Sequence, residues 1–93
     1  MDFDSLESRY QWQFQRGRGI DHCTPEAWLP VLADLFDQVN EIVPAELRPM
    51  FAWTDVKEKR GRLAVDFMAP ANCAEALDAA IEAAIVRVSC STK

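Results

Sequence analysis

Three sets of residues in this 93-residue chain have types and spacing that can do chemistry. The first is a histidine beside a thiol, His22 and Cys23. The second is a run of cations, Lys57, Lys59, Arg60 and Arg62. The third is a series of carboxylates, Asp34, Asp37, Glu41 and Glu46 in one stretch and Glu75, Asp78 and Glu82 in another. His22, with Cys23, Cys73 and Cys90, would make a nominal zinc set. Adjacent residues point in different directions, however, and this wide spacing matches no zinc pattern, so the expectation is free thiols, a loop histidine, no metal and no cofactor. A Cys/His nucleophile also needs a group to orient the base and donors for an oxyanion. Neither can be identified, so no catalytic residue is assigned and the chain is read as a non-enzyme.

The cationic run suits different chemistry. Its charges, interrupted only by Glu58 and Gly61, are suited to gripping a phosphate backbone or an acidic protein surface, although lysines on an edge strand also serve simply to block sheet-to-sheet pairing. The carboxylates would form a stripe imitating phosphates toward a basic partner if the helices carrying them lie side by side; charged outer faces are also ordinary. Trp12 and Trp28 read as core, and Trp53 as the aromatic best placed for exposure and recognition.

The elements that must position these residues follow from local patterns. In residues 51–58, Phe51, Trp53, Thr54 and Val56 are strand formers, and across the turn Leu63, Val65 and Phe67 alternate with Ala64, Asp66 and Met68. Arg60 and Gly61 are the expected loop residues of a hairpin. That register pairs Val56 with Val65, Thr54 with Phe67 and Glu58 with Leu63, and turns Lys57, Lys59, Arg62, Asp55 and Asp66 to the opposite, wet face together with Trp53.

Upstream, residues 4–14 read as a helix capped by Asp4 or Ser5, although the alternation of residues 10–15 also fits a strand. Arg16-Gly17-Arg18-Gly19 ends that element and makes a second small basic spot. Thr24 as N-cap and Pro25 at the first helical position open an amphipathic helix to about Val43, with Trp28, Leu32, Leu35 or Phe36, Val39 and Ile42 or Val43 along one side. Pro30 either kinks its first turn or marks regular helix beginning nearer Trp28. Residues 44–49 hold one further helical turn. A last helix starts at an Asn72 cap with Glu75 as capping-box partner and runs through Leu77, Ala80 or Ile81, Ala84, Ile85 and Val88. The order α-α-β-β-α leaves no room for parallel crossovers and predicts one small two-layer α+β domain over residues 1–93, with helices on one face of a short antiparallel hairpin.

Composition bounds the rest. Apolar residues make up 49% of the chain, enough for a packed core, and the net charge of −5 argues against a generic nucleic-acid binder. No run approaches a membrane span, the first residues lack a signal pattern, and three unpaired cysteines fit a reducing compartment, so a cytoplasmic protein with no membrane partner is expected.

Cys23, the segment Trp28-Leu29-Pro30-Val31-Leu32, the run Val56-Lys57-Glu58-Lys59 with Gly61 and Leu63, and Cys90 together resemble a family of small uncharacterised phage and prophage proteins. That family carries a cysteine before a GDGW-like turn, a W-x-P-L-L helix start, a VKEKFGxLRFY hairpin and a TCExCG tail. Thr24-Pro25-Glu26-Ala27 replaces the GDG turn here, Arg60 stands at an aromatic position, and Cys90-Ser91-Thr92-Lys93 lacks the second tail cysteine. The resemblance implies a mobile-element origin, a bacterial host cytoplasm and no established activity. With the bipolar charge it gives the expectation of a binding protein that occludes a host protein or protein–nucleic-acid complex, such as a CRISPR effector. The contact residues would come from Lys57, Lys59, Arg60, Arg62 and Trp53, or from Asp34, Asp37, Glu41, Asp78 and Glu82. The alternative expectation is an accessory module that grips nucleic acid with the basic hairpin, and the oligomeric state is left open.

Overall fold

The computed structural model describes residues 2–16 and 19–91, the side chains of Cys90 and Ser91 excepted, so Gly17 and Arg18 of the second basic spot and the Cys90 thiol lie outside the described residues. Three α-helices and a two-stranded antiparallel sheet form an α+β domain in the expected order: α1 (Phe3–Arg9), α2 (Leu29–Ile42), β1 (Ala52–Lys59), β2 (Arg62–Met68) and α3 (Ala71–Ser91). Short 3-10 turns at Gln11–Phe14, Glu26–Trp28 and Ala45–Met50 join them.

The first element is shorter than residues 4–14 and begins earlier. Asp2, not Asp4 or Ser5, caps α1, its side chain accepting from the Ser5 N–H at 2.8 Å. After Arg9 the chain tightens into the 3-10 turn, so residues 10–15 form neither a continuous α-helix nor a third strand. The reason is Gln13. Wholly buried, it donates from Nε2 to the Phe36 carbonyl and accepts the Trp53 indole N–H at Oε1, both at 2.9 Å, and a strand there would turn it away from both partners. Glu7 fastens the same segment from its other end by accepting the Ile20 N–H at 2.8 Å. Gly19 leaves room for this contact, because a Cβ at that position would push the Glu7 carboxylate aside.

Regular helix α2 starts at Leu29 with Pro30 in its first turn, where the missing N–H costs nothing, and the residues before it form the 3-10 turn. Thr24 is not the cap: Pro25 holds that position, and the buried Thr24 Oγ1 has no hydrogen-bond partner among the described residues. Similarly α3 begins at Ala71, one residue before Asn72, which is therefore helical and not a cap. The two long helices run antiparallel side by side: Cys73 Sγ lies 3.9 Å from the Ile42 carbonyl and Arg87 reaches Asp34 at the other end.

Arg60 and Gly61 are the hairpin turn, and Val56 pairs with Val65 and Glu58 with Leu63 as expected. The pairing changes at Thr54. Trp53, not Thr54, lies opposite Phe67, while Asp55 lies opposite Asp66, so Thr54 is an extra residue, a β-bulge. The bulge reverses the alternation beyond it and puts Trp53 on the same face as Val56, Leu63 and Phe67. Trp53 is accordingly fully buried, with ring centroids of Phe36, Phe51 and Phe67 5.3 to 5.9 Å away. Around this cluster close Trp28, Leu32, Phe36 and Val39 of the α2 segment and Leu77, Ile81 and Val88 of α3, giving one core between sheet and helices.

Candidate interaction surface

The tip of the hairpin is built from conflict as much as from fit. Both turn residues have positive φ, 55° at Arg60 and 79° at Gly61, as a type I′ turn demands. Gly61 takes that conformation freely; for Arg60 it costs roughly 1–2 kcal/mol. The Gly61 N–H is held by Glu58 Oε2. Across the closing pair Lys59 stands directly opposite Arg62, a like-charge arrangement that disfavours the hairpin. Lys59, Arg60 and Arg62 are all exposed, and among the described residues none of them is in an ion pair. Lys57 differs from them. It is half-buried, and its ammonium is bound to Asp55 at 3.0 Å, so the free cationic tip reduces to Lys59, Arg60 and Arg62.

Trp53 is removed from any surface by its burial. The expectation that it faces solvent rested on unbroken alternation, which the Thr54 bulge interrupts. Of the three tryptophans, Trp12 is the one left partly exposed. Its indole N–H donates to Asn40 Oδ1 at 2.9 Å and the Arg48 guanidinium covers its ring at 4.7 Å.

The carboxylates of both helices are exposed, but they do not make one stripe. Asp34 is neutralised by Arg87 at 2.8 Å, and Asp37 accepts a long hydrogen bond of 3.4 Å from the Tyr10 hydroxyl. Arg87 and Cys73 mark the side of α3 that faces α2. At about 100° per residue, Asp78 falls roughly half a turn round the helix from Arg87, and Glu75 and Glu82 lie beside Asp78. The α3 acids therefore point away from α2, and Asp34, Asp37 and Glu41 belong to a different surface.

A third cluster comes from residues whose divergence the sequence overstated. Asp21 Oδ1 accepts the Cys23 N–H at 2.8 Å, closing an Asx turn that gathers one donor atom each from Asp21, His22 and Cys23 within 4.8 Å of one another. That hydrogen bond holds the Asp21 carboxyl below the usual carboxylate range. His22 is almost wholly exposed, its Nδ1 4.0 Å from Asp21, and lines an open concavity of about 250 Å³ with Asp2, Phe3, Asp4, Glu7 and Ile20. These are the described residues best placed to bind a cation. The signal for them was an Asp two residues before Cys23, the usual opening of an Asx turn. Cys73 is a buried free thiol and Cys23 an exposed one.

No described helix is long and apolar enough to cross a membrane. The chain matches no family model, no curated protein and no solved structure.

Proposed function

We propose that this is a non-enzymatic binding protein that acts by covering an anionic surface of a partner protein, with the hairpin tip as its contact. The observation that carries this reading is the exposed trio Lys59, Arg60 and Arg62, free of ion pairs among the described residues and held on a turn that strains Arg60. A protein of net charge −5 that keeps unneutralised cations on a strained turn has an arrangement that local stability does not favour and that an acidic partner would. The likeness of the KEKxGxL hairpin to phage and prophage proteins supports a host partner, and a nucleic-acid-handling defence complex of the CRISPR-effector kind is the form this proposal takes. Charge reversal at Lys59→Glu with Arg60→Glu abolishes capture of the partner from bacterial lysate while leaving the fold intact; capture that survives the reversal overturns the role of the tip.

The same tip favours a second reading, direct binding of nucleic-acid phosphates. Binding of short oligonucleotides would then weaken steeply as salt rises, with a slope set by the few cations involved, and would vanish in the reversal variant. The overall acidity of the chain weighs against it.

A further inference from the structure

The loop that carries Asp21, His22 and Cys23 is fastened at both ends. Before it, the Ile20 N–H donates to Glu7 Oε1 and the Asp21 N–H to the Val56 carbonyl, each at 2.8 Å, and Ile20 forms a parallel bridge to Val56 of β1. After it, the Thr24 N–H donates to the Asp21 carbonyl at 3.0 Å, and Thr24 is buried. Hydrogen bonds thus set the backbone of the loop, while its side chains stay accessible, Asp21 half-buried and His22 and Cys23 exposed.

That geometry answers the objection that consecutive side chains diverge. In the Asx turn, one donor each from a carboxylate, an imidazole and a thiol lies within 4.8 Å of the other two. Donors around a tetrahedral zinc, at bond lengths of about 2.0–2.3 Å, stand roughly 3.5 Å apart, so rotations that move His22 and Cys23 by about 1 Å close the set without touching the core. Asp21 Oδ1 is already engaged by the Cys23 N–H, which leaves Oδ2 for a metal and makes that hydrogen bond the outer contact that orients the ligand. The surroundings favour a cation as well. Asp2, Asp4 and Glu7 line the concavity that His22 borders, and the Lys57 ammonium, whose field reaches Asp21, is itself bound to Asp55.

We propose that Asp21, His22 and Cys23 form a site for one divalent transition metal, zinc by preference, through Asp21 Oδ2, an imidazole nitrogen of His22 and the Cys23 thiolate. A thiolate and an imidazole select a borderline metal over calcium or magnesium, which take oxygen donors. Water molecules fill the remaining positions of the metal, and binding displaces the thiol proton of Cys23 to solvent. The site shares no residue with the hairpin tip, so metal binding and partner capture stand or fall separately.

Titration of the reduced full chain with Zn²⁺ by equilibrium dialysis, and with Co²⁺ as a coloured substitute, tests this on wild type, Asp21→Asn, His22→Ala, Cys23→Ser and Cys90→Ser. The expected result is one equivalent bound, with the absorption of a cobalt–thiolate bond, and a rise in thermal midpoint on adding Zn²⁺. Cys23→Ser loses the thiolate absorption, and each change at the three ligands raises the dissociation constant at least on the order of tenfold. Asparagine keeps the Asx turn, so the Asp21→Asn loss reports the carboxylate and not a disrupted loop. Cys90→Ser binds as wild type does. A wild type that takes up no metal overturns the proposal, and so does binding that survives His22→Ala and Cys23→Ser or is lost in Cys90→Ser.

Discussion

Gln13 and Arg60 each occupy an environment that residues of their type disfavour, and they do so for opposite reasons. Gln13 is a polar side chain in the core because it satisfies the Trp53 indole and the Phe36 carbonyl together. Gln13→Leu keeps the volume but strands both partners, and chemical denaturation is expected to show a loss of about 1–3 kcal/mol. Adding Trp53→Phe removes one stranded donor, so the double variant loses less than the sum of the two single changes. At Arg60 the departure is a cost. Arg60→Asn suits the positive φ and is expected to raise stability by about 1 kcal/mol in thermal melts while weakening partner capture. A stabilised variant with undiminished capture would show that Arg60 has no part in binding.

At the scale of elements, the hairpin turn, the α2 stripe and the α3 stripe were legible, because each is written in several agreeing local signals. The Thr54 bulge was not. Period-two alternation has no symbol for an extra residue, and from Val56 backward it assigned Trp53 to solvent when the fold buries it completely. The correction is measurable: Trp53→Ala is expected to cost about 3–5 kcal/mol in denaturant titration, where a solvent-facing recognition residue would cost almost nothing. Helix caps failed for a related reason. Thr24 and Asn72 have capping chemistry, but Pro25 takes the cap position after Thr24 and α3 begins one residue before Asn72. The candidate site was legible in part. The sequence named the cations of the tip, whereas the withdrawal of Lys57 to Asp55 and the separation of the two acidic sets depend on strand register and helix rotation.

The docking of the N-terminal segment on α2 carries a pH signature. Burial, and then the neighbouring Asp37 carboxylate, raise the Tyr10 hydroxyl above the usual phenol range. A raised folded value means that this contribution to stability is complete below pH about 10 and is lost as pH rises through the folded value. Alkaline unfolding of Tyr10→Phe is therefore expected to be flatter than that of wild type. On the acid side Asp2 and Asp21 run the other way. Backbone N–H groups of Ser5 and Cys23 hold both carboxyls low, so their contribution is present above about pH 4 and fades as pH falls through the lowered values. Asp2→Asn with Asp21→Asn should shallow the acid limb in a pH series of melts.

As a whole molecule the protein is an acidic body of 39 × 25 × 19 Å, and three exposed cations that are in no ion pair among the described residues, Lys59, Arg60 and Arg62, stand together at one end of its hairpin. Such a dipolar arrangement steers the tip toward negative surfaces and the body away from them. The acidic faces of α2 and α3 point to different sides, whereas the cations of the tip lie together. The most direct test of that claim is affinity capture from bacterial lysate with and without nuclease, using wild type beside Lys59→Glu with Arg60→Glu. The account predicts a protein partner that survives nuclease and is lost on charge reversal. Capture unaffected by the reversal, or captured material that disappears with nuclease, would contradict it.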